Sequence, residues 1–151
     1  MKKSTILILI IVYLGSIFIV GVYGLSVRYG NETIYCDSIT PTKIELSTGA
    51  VYEGEKIVAD KESTVPTYNI SISSKDYVDG LTIIVSYALN PTDCTNQDVK
   101  IVIVSTSDDP PATIVDGKIV FTRKSAVTVK FYATDRGAGA AEMTINIRFG
   151  R

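Results

Sequence analysis

Histidine and tryptophan are absent from this chain, cysteine and methionine occur twice each, and proline only five times. Without histidine there is no Ser-His-Asp or Cys-His arrangement, no imidazole general base and no histidine-containing zinc site. Two cysteines are too few for an iron–sulfur or four-thiolate centre within one chain. A phosphate-cradling glycine loop is missing too: the run GAGAAE from Gly137 is not followed by helical spacing and reads as a hairpin turn. The chain is therefore not read as an enzyme, and neither a catalytic residue nor a cofactor is expected. No basic stripe of the kind that binds nucleic acid is present.

Charge is missing altogether from one stretch. Thr5 to Leu25 reads TILILIIVYLGSIFIVGVYGL, after Lys2 and Lys3 at the amino end. As a helix rising about 1.5 Å per residue it reaches roughly 31 Å, close to the ~30 Å hydrocarbon thickness of a bilayer. Residues 1–25 are read as an uncleaved signal-anchor, or as a cleaved signal peptide cut after Gly24. A buried core helix is the third reading, but a segment apolar all round needs a larger protein about it. In both leading readings the two lysines stay inside, and everything after Leu25 is exported. The expected location is a single-pass cell-membrane protein with its carboxyl-terminal domain outside, or a secreted protein if the signal is removed. Thirteen of the fifteen basic residues follow position 25 and face all sixteen acidic ones, so the exported part carries about −3.

At 151 residues the chain has room for one domain and some extras. Beyond Asn31 no window keeps apolar spacing of three and four, whereas alternation of period two recurs. Thr67 to Ser73 sets Tyr68, Ile70 and Ile72 on one face, and Leu81 to Leu89 does so with Leu81, Ile83, Val85, Tyr87 and Leu89. Val127, Val129, Phe131 and Ala133 alternate with polar residues, as do Met143, Ile145, Ile147 and Phe149. One apolar face against one polar face is the mark of antiparallel strands over a single core. Asp79-Gly80, Asn90-Pro91, Asp109-Pro110-Pro111, Asp116-Gly117 and Arg136-Gly137-Ala138-Gly139 punctuate them. Asp116-Gly117, between TIV and KIVF, predicts a two-residue hairpin. Short strands at this spacing without helices predict an all-β sandwich. Residues 26–65 are less regular, with short strands at Ile34 to Cys36 and Thr42 to Ser47, and form either membrane-proximal strands packed on the sandwich or a stalk.

The order LTIIVSYALNPTDCTNQDVK, STSDDPPATIVDGKIVF and AVTVKFYATDRGAGAAEMTINI resembles the group 2 bacterial immunoglobulin-like domain, the Big_2 family. The pieces correspond to its strand and Thr-Asn turn, its serine-rich turn with an Asp-Gly-Lys-Val hairpin, and its final two strands. The likeness covers roughly Val65 to Phe149, a little over half of the chain, and gives residues 66–151 as an immunoglobulin-like β-sandwich. The chain departs from the family where VKIVIVS lacks its tryptophan and where Ser125 replaces a common glycine. Such domains occur in surface proteins and adhesins of bacteria and in some phage proteins, as spacers or binding modules. The resemblance thus implies adhesion, binding or spacing, with a protein or a glycan at the cell surface as partner.

Carboxylates are sparse as ligand sets. Asp108 and Asp109 with Asp116, or Asp93 with Asp98, lack an alternating Asp spacing, and aspartate in turns keeps loops soluble, so no metal is expected. Asn31-Glu32-Thr33 and Asn69-Ile70-Ser71 match the N-glycosylation sequon, which chance also produces. Tyr77 and Tyr132 read as contact residues or as solvent-side strand residues. Candidate binding residues are Asn90, Asp93, Thr95 and Asn96 in one loop and Asp108 and Asp109 in another, since sandwich ends carry recognition loops.

Cys94 lies in a polar turn, an odd place for a free thiol. Export favours an oxidising setting, in which Cys36 and Cys94 pair as a staple. Export into a space without oxidising machinery leaves them as two free thiols instead. Two further roles compete with the surface module: a subunit of a surface filament with possible self-association, and an accessory subunit of a secretion or motility machine. A prepilin wants a glycine just before the apolar run and an acid near its start, and Lys3-Ser4-Thr5 has neither.

Overall fold

The computed structural model describes residues 11–14, 16–17, 19, 33–105, 108–137 and 139–150. The chain divides into two compact units, Met1–Thr33 and Ile34–Arg151. Of the first, residues 11–14, 16–17 and 19 are helical. Among the described residues no helix is long and apolar enough to cross a membrane. Most of the apolar run from Thr5 to Leu25, and Asn31 of the first sequon, lie outside the described residues.

The second unit is all β, in two sheets. Its strands are β1 (Ser38–Leu46), β2 (Val51–Glu53), β3 (Val58–Asp60), β4 (Thr67–Ile72), β5 (Thr82–Asn90), β6 (Val99–Val104), β7 (Ala112–Val115), β8 (Lys118–Phe121), β9 (Val127–Ala133) and β10 (Glu142–Phe149). One sheet has the order β2-β1-β5-β8-β7 and the other β3-β4-β10-β9-β6. The core lies between them and holds Phe121, Phe131, Leu81, Ile83, Ile145 and Ile147, all essentially inaccessible. Each such side chain contributes about 1.5–3 kcal/mol relative to staying in water.

Alternation places these residues as the sequence predicts. In β9, Val127, Val129, Phe131 and Ala133 point inward, and in β10 Met143, Ile145 and Ile147 do the same. Asp116 and Gly117 both take positive φ, 49° and 73°, as a two-residue hairpin between β7 and β8 requires. On the outer face of the second sheet Thr128, Asn146 and Asn69 stand in register. Their side chains bond across three strands, at 2.9 and 3.1 Å.

Three features depart from the sequence reading. The pair β4–β10 is parallel, not antiparallel, with Thr67 opposite Thr144 and Ile72 opposite Phe149. These strands lie far apart in the chain, so no hairpin constrains their direction. Secondly, β1 begins at Ser38, well before Thr42. Its pairing with β5 slips between Pro41 and Lys43, so Ile39 and Pro41 face inward before the bulge and Ile44 and Leu46 after it. That change of parity hides the first half of the strand from a strict period-two reading, whereas the half after the bulge matches the strand expected at Thr42 to Ser47. Thirdly, Ile34 to Cys36 is not a strand; Ile34 instead exchanges hydrogen bonds with Thr95. The segment 38–60 supplies strands to both sheets.

Candidate functional site

Strand directions set which loops share an end of the sandwich. β5 ends at Asn90 opposite Ser38, and β6 starts at Val99 opposite Ala133. The lead-in at Ile34, the β5–β6 loop and the β9–β10 loop therefore meet at one end. Val104 lies opposite Thr128, so the loop after β6 is at the other. Asn90, Asp93, Thr95 and Asn96 are thus brought together, but Asp108 and Asp109 are a sheet length away from them. Asp116 caps the β7–β8 hairpin and is likewise distant from Asp108 and Asp109, since Ala112 pairs with Phe121 at the far end.

At the first end most polar groups are engaged within the fold. Thr95 accepts from the Ile34 N–H at 2.8 Å through its Oγ1 and gives its own N–H to the Ile34 carbonyl at 2.9 Å. The Asn96 amide donates to Thr134 Oγ1 at 3.2 Å, and its oxygen accepts the Asp98 N–H at 2.9 Å. Asn90 uses its carbonyl to accept from the Asp37 N–H at 2.7 Å. Asp93 is exposed. Cys36 and Cys94 are joined by a disulfide, with Cα atoms 5.4 Å apart and both residues buried.

The β9–β10 loop closes over this bond. The Asp135 carboxylate accepts the Cys36 N–H, and Arg136 donates to the Cys36 carbonyl at 2.8 Å. The Arg136 guanidinium also sits 5.1 Å from the Tyr35 ring centre and 3.4 Å from Asp37. The sequence marks Arg136 only as the start of a turn and Asp135 not at all, because loop residues about a hundred positions from Cys36 carry no local signal of a contact with it.

At the opposite end Asp109 forms an ion pair with Arg123 at 2.7 Å, and Arg123 also donates to the Asp109 carbonyl. Asp108 is exposed. Among the described residues no group of three or more histidine, cysteine or acidic side chains is placed to hold a metal ion. Tyr77 is neither in a strand nor fully solvent-side; it packs edge-on against Phe149, with ring centres 5.2 Å apart.

A groove of about 1060 Å³ lies elsewhere, between β2 with the 3₁₀ turn Gly54–Lys56 on one side and β4 with the end of β10 on the other. Sequence reading missed it because β2 and β3 are three residues each, too short for a periodic signal. Tyr52 forms part of its wall and is held in place by two hydrogen bonds, its hydroxyl donating to Asp76 at 2.9 Å and accepting the Ser73 N–H at 3.1 Å. Burial pushes the Tyr52 phenol above its ordinary value of 10.0; the Ser73 N–H opposes this and the Asp76 carboxylate adds to it. Lys56 Nζ lies 5.6 Å from the centre of the Tyr52 ring. Lys56 and Arg148 line the groove and are exposed.

No protein-family model matches this chain, and no curated protein does.

Proposed function

We propose that this chain is a non-catalytic surface module of the Big_2 immunoglobulin-like kind, held at the cell membrane by its amino-terminal apolar segment, or secreted if that segment is removed. It acts in adhesion, in binding, or as a spacer, with a protein or a glycan at the cell surface as partner. The strand order carries this reading. In an immunoglobulin sandwich strands A, B, E and D form one sheet and C, F and G the other. Here β1-β5-β8-β7 faces β6-β9-β10, which is the same arrangement when β1 is taken as A and β10 as G. β4 then runs parallel to the last strand as an added edge, and β2 and β3 extend one sheet each. The lack of histidine removes the commonest acid–base catalyst and favours binding over catalysis.

The uncharged run from Thr5 to Leu25 supports export. A protease added to intact cells tests the reading. Loss of the folded domain from the cell pellet, with a full-length mass in untreated membranes, is the expected result. A chain that stays protected until the cells are lysed refutes it.

A further inference from the structure

The groove between β2 and β4 is a break in the edge of a sheet. β3 is three residues long and pairs only with the first half of β4, Val58 opposite Asn69 and Asp60 opposite Thr67. Among the described residues no strand lies beside the edge of β4 beyond Asn69 on that side.

The main-chain groups at that break can be assigned. The Pro66 carbonyl accepts from the Thr144 N–H, and the Ile72 carbonyl accepts from the Gly150 N–H, both at 2.8 Å. Even-numbered residues of β4 therefore turn their N–H and C=O toward β10. By alternation the odd-numbered ones turn away from it. Ser73 obeys this rule, since its N–H reaches Tyr52 in the groove wall. Ser71, between Asn69 and Ser73, aims its N–H and C=O into the groove where β3 would have supplied a partner. Across the groove β2 is itself the last strand of its sheet.

Charge completes the picture. Lys56 and Arg148 both line the groove, and among the described residues neither forms an ion pair. Among the described lining residues Asp76 is the one carboxylate, and it accepts from the Tyr52 hydroxyl while keeping its charge, so two cations face one anion in the groove. Ile70 and Val58 supply apolar lining between these polar positions. A slot with free main-chain groups at Ser71, some apolar lining and two cations outside any ion pair fits an extended peptide better than a compact ligand.

We infer that this groove binds an extended acidic segment of a partner protein, which adds a strand to β4 beyond the end of β3 by pairing with Ser71 and sets carboxylates against Lys56 and Arg148. The inference deepens the reading of the chain as a binding module and rests on it, but it is independent of the membrane anchor.

The probes are two short synthetic peptides alternating threonine with valine, one carrying two glutamates and its twin two lysines at the same positions. They are added to the isotope-labelled full chain in detergent micelles. The glutamate peptide is expected to slow exchange of the Ser71 amide and to bind about tenfold more weakly to the K56E/R148E variant. The lysine twin is expected to bind that variant in preference to the natural chain. Both substituted residues are exposed, and unchanged amide signals from β9 check that the variant is folded. Three results overturn the inference: no binding, binding indifferent to peptide charge, or shifts at Lys56 and Arg148 with Ser71 exchange unchanged. A chain absent from the cell surface whose Ser71 is still protected by the peptide refutes the cellular reading alone. A surface-exposed chain with Ser71 unaffected refutes the slot alone.

Discussion

Arg136 donates to the main-chain carbonyl of Cys36 across 2.8 Å, although one hundred residues separate them. Cys36 in turn is bonded to Cys94, so the lead-in of the domain is held at one point by two loops. The β5–β6 loop holds it covalently and the β9–β10 loop holds it by hydrogen bonds and charge.

The covalent part is measurable first. Cys36 and Cys94 are 58 residues apart in the chain. Opening a loop of that size removes about 4 kcal/mol in the chain-entropy account, and commonly less. Denaturant unfolding of the natural chain with and without reductant, and of the C36S/C94S variant, is expected to show a loss of about 2–4 kcal/mol with the β-sheet signal retained. An unchanged midpoint contradicts it.

Arg136→Ala removes the donor to Cys36, the Tyr35 contact and the ion pair with Asp37. The ion pair contributes little, because the Asp37 side chain is 72% accessible. The hydrogen bond from a charged group dominates, and the expected loss is about 1.5–2 kcal/mol. Arg136→Lys recovers only part of it, since an ammonium lacks the planar fork. Combined with C36S/C94S, the two losses are expected not to add, because both restrain the same segment.

Tyr52 gives the fold an alkaline limit. Its folded pKa is raised from 10.0, chiefly by burial, so the fold favours the protonated phenol. That stabilisation is complete below the unfolded value and is lost as pH rises through the higher folded one. Stability measured from pH about 9 upward is expected to fall more steeply in the natural chain than in Tyr52→Phe. At neutral pH the same variant loses about 1–2 kcal/mol, because Asp76 and the Ser73 N–H lose their partner.

The β7–β8 turn separates conformational strain from crowding. Gly117 has φ of 73°, and a Cβ added there meets nothing within 4 Å. Gly117→Ala is therefore expected to cost about 1 kcal/mol through backbone conformation alone. Asp116→Asn, at φ 49°, is expected to change stability by less than about 0.5 kcal/mol, since asparagine tolerates the same region. Thermal unfolding of both variants checks the contrast.

Alternation made the inward faces of β4, β5, β9 and β10 readable in the sequence, and Asp-Gly made the hairpin readable. The bulge between Pro41 and Lys43 concealed the first half of β1 while the second half stayed readable in Thr42 to Ser47, because one extra residue inverts the alternation on which the reading depends. Thr95 and Asn96 looked like recognition residues because they are polar and in a loop. Their hydrogen bonds to Ile34 and Thr134 connect them to segments the loop itself does not contain, and the Asn96 oxygen also braces the loop from within by accepting the Asp98 N–H.

The sequence by itself determined that the chain after Ile34 is made of strands, where its tight hairpin falls, and which side of most strands avoids water. These are local properties, set by side-chain spacing and by the backbone conformations that glycine and aspartate allow. Only the tertiary structure decided that β4 lies parallel to β10, that Arg136 meets Cys36, and that a three-residue β3 leaves Ser71 facing an open groove. Those relationships join segments distant in the chain, and they follow from how two sheets close over one core, which no single window of residues can encode.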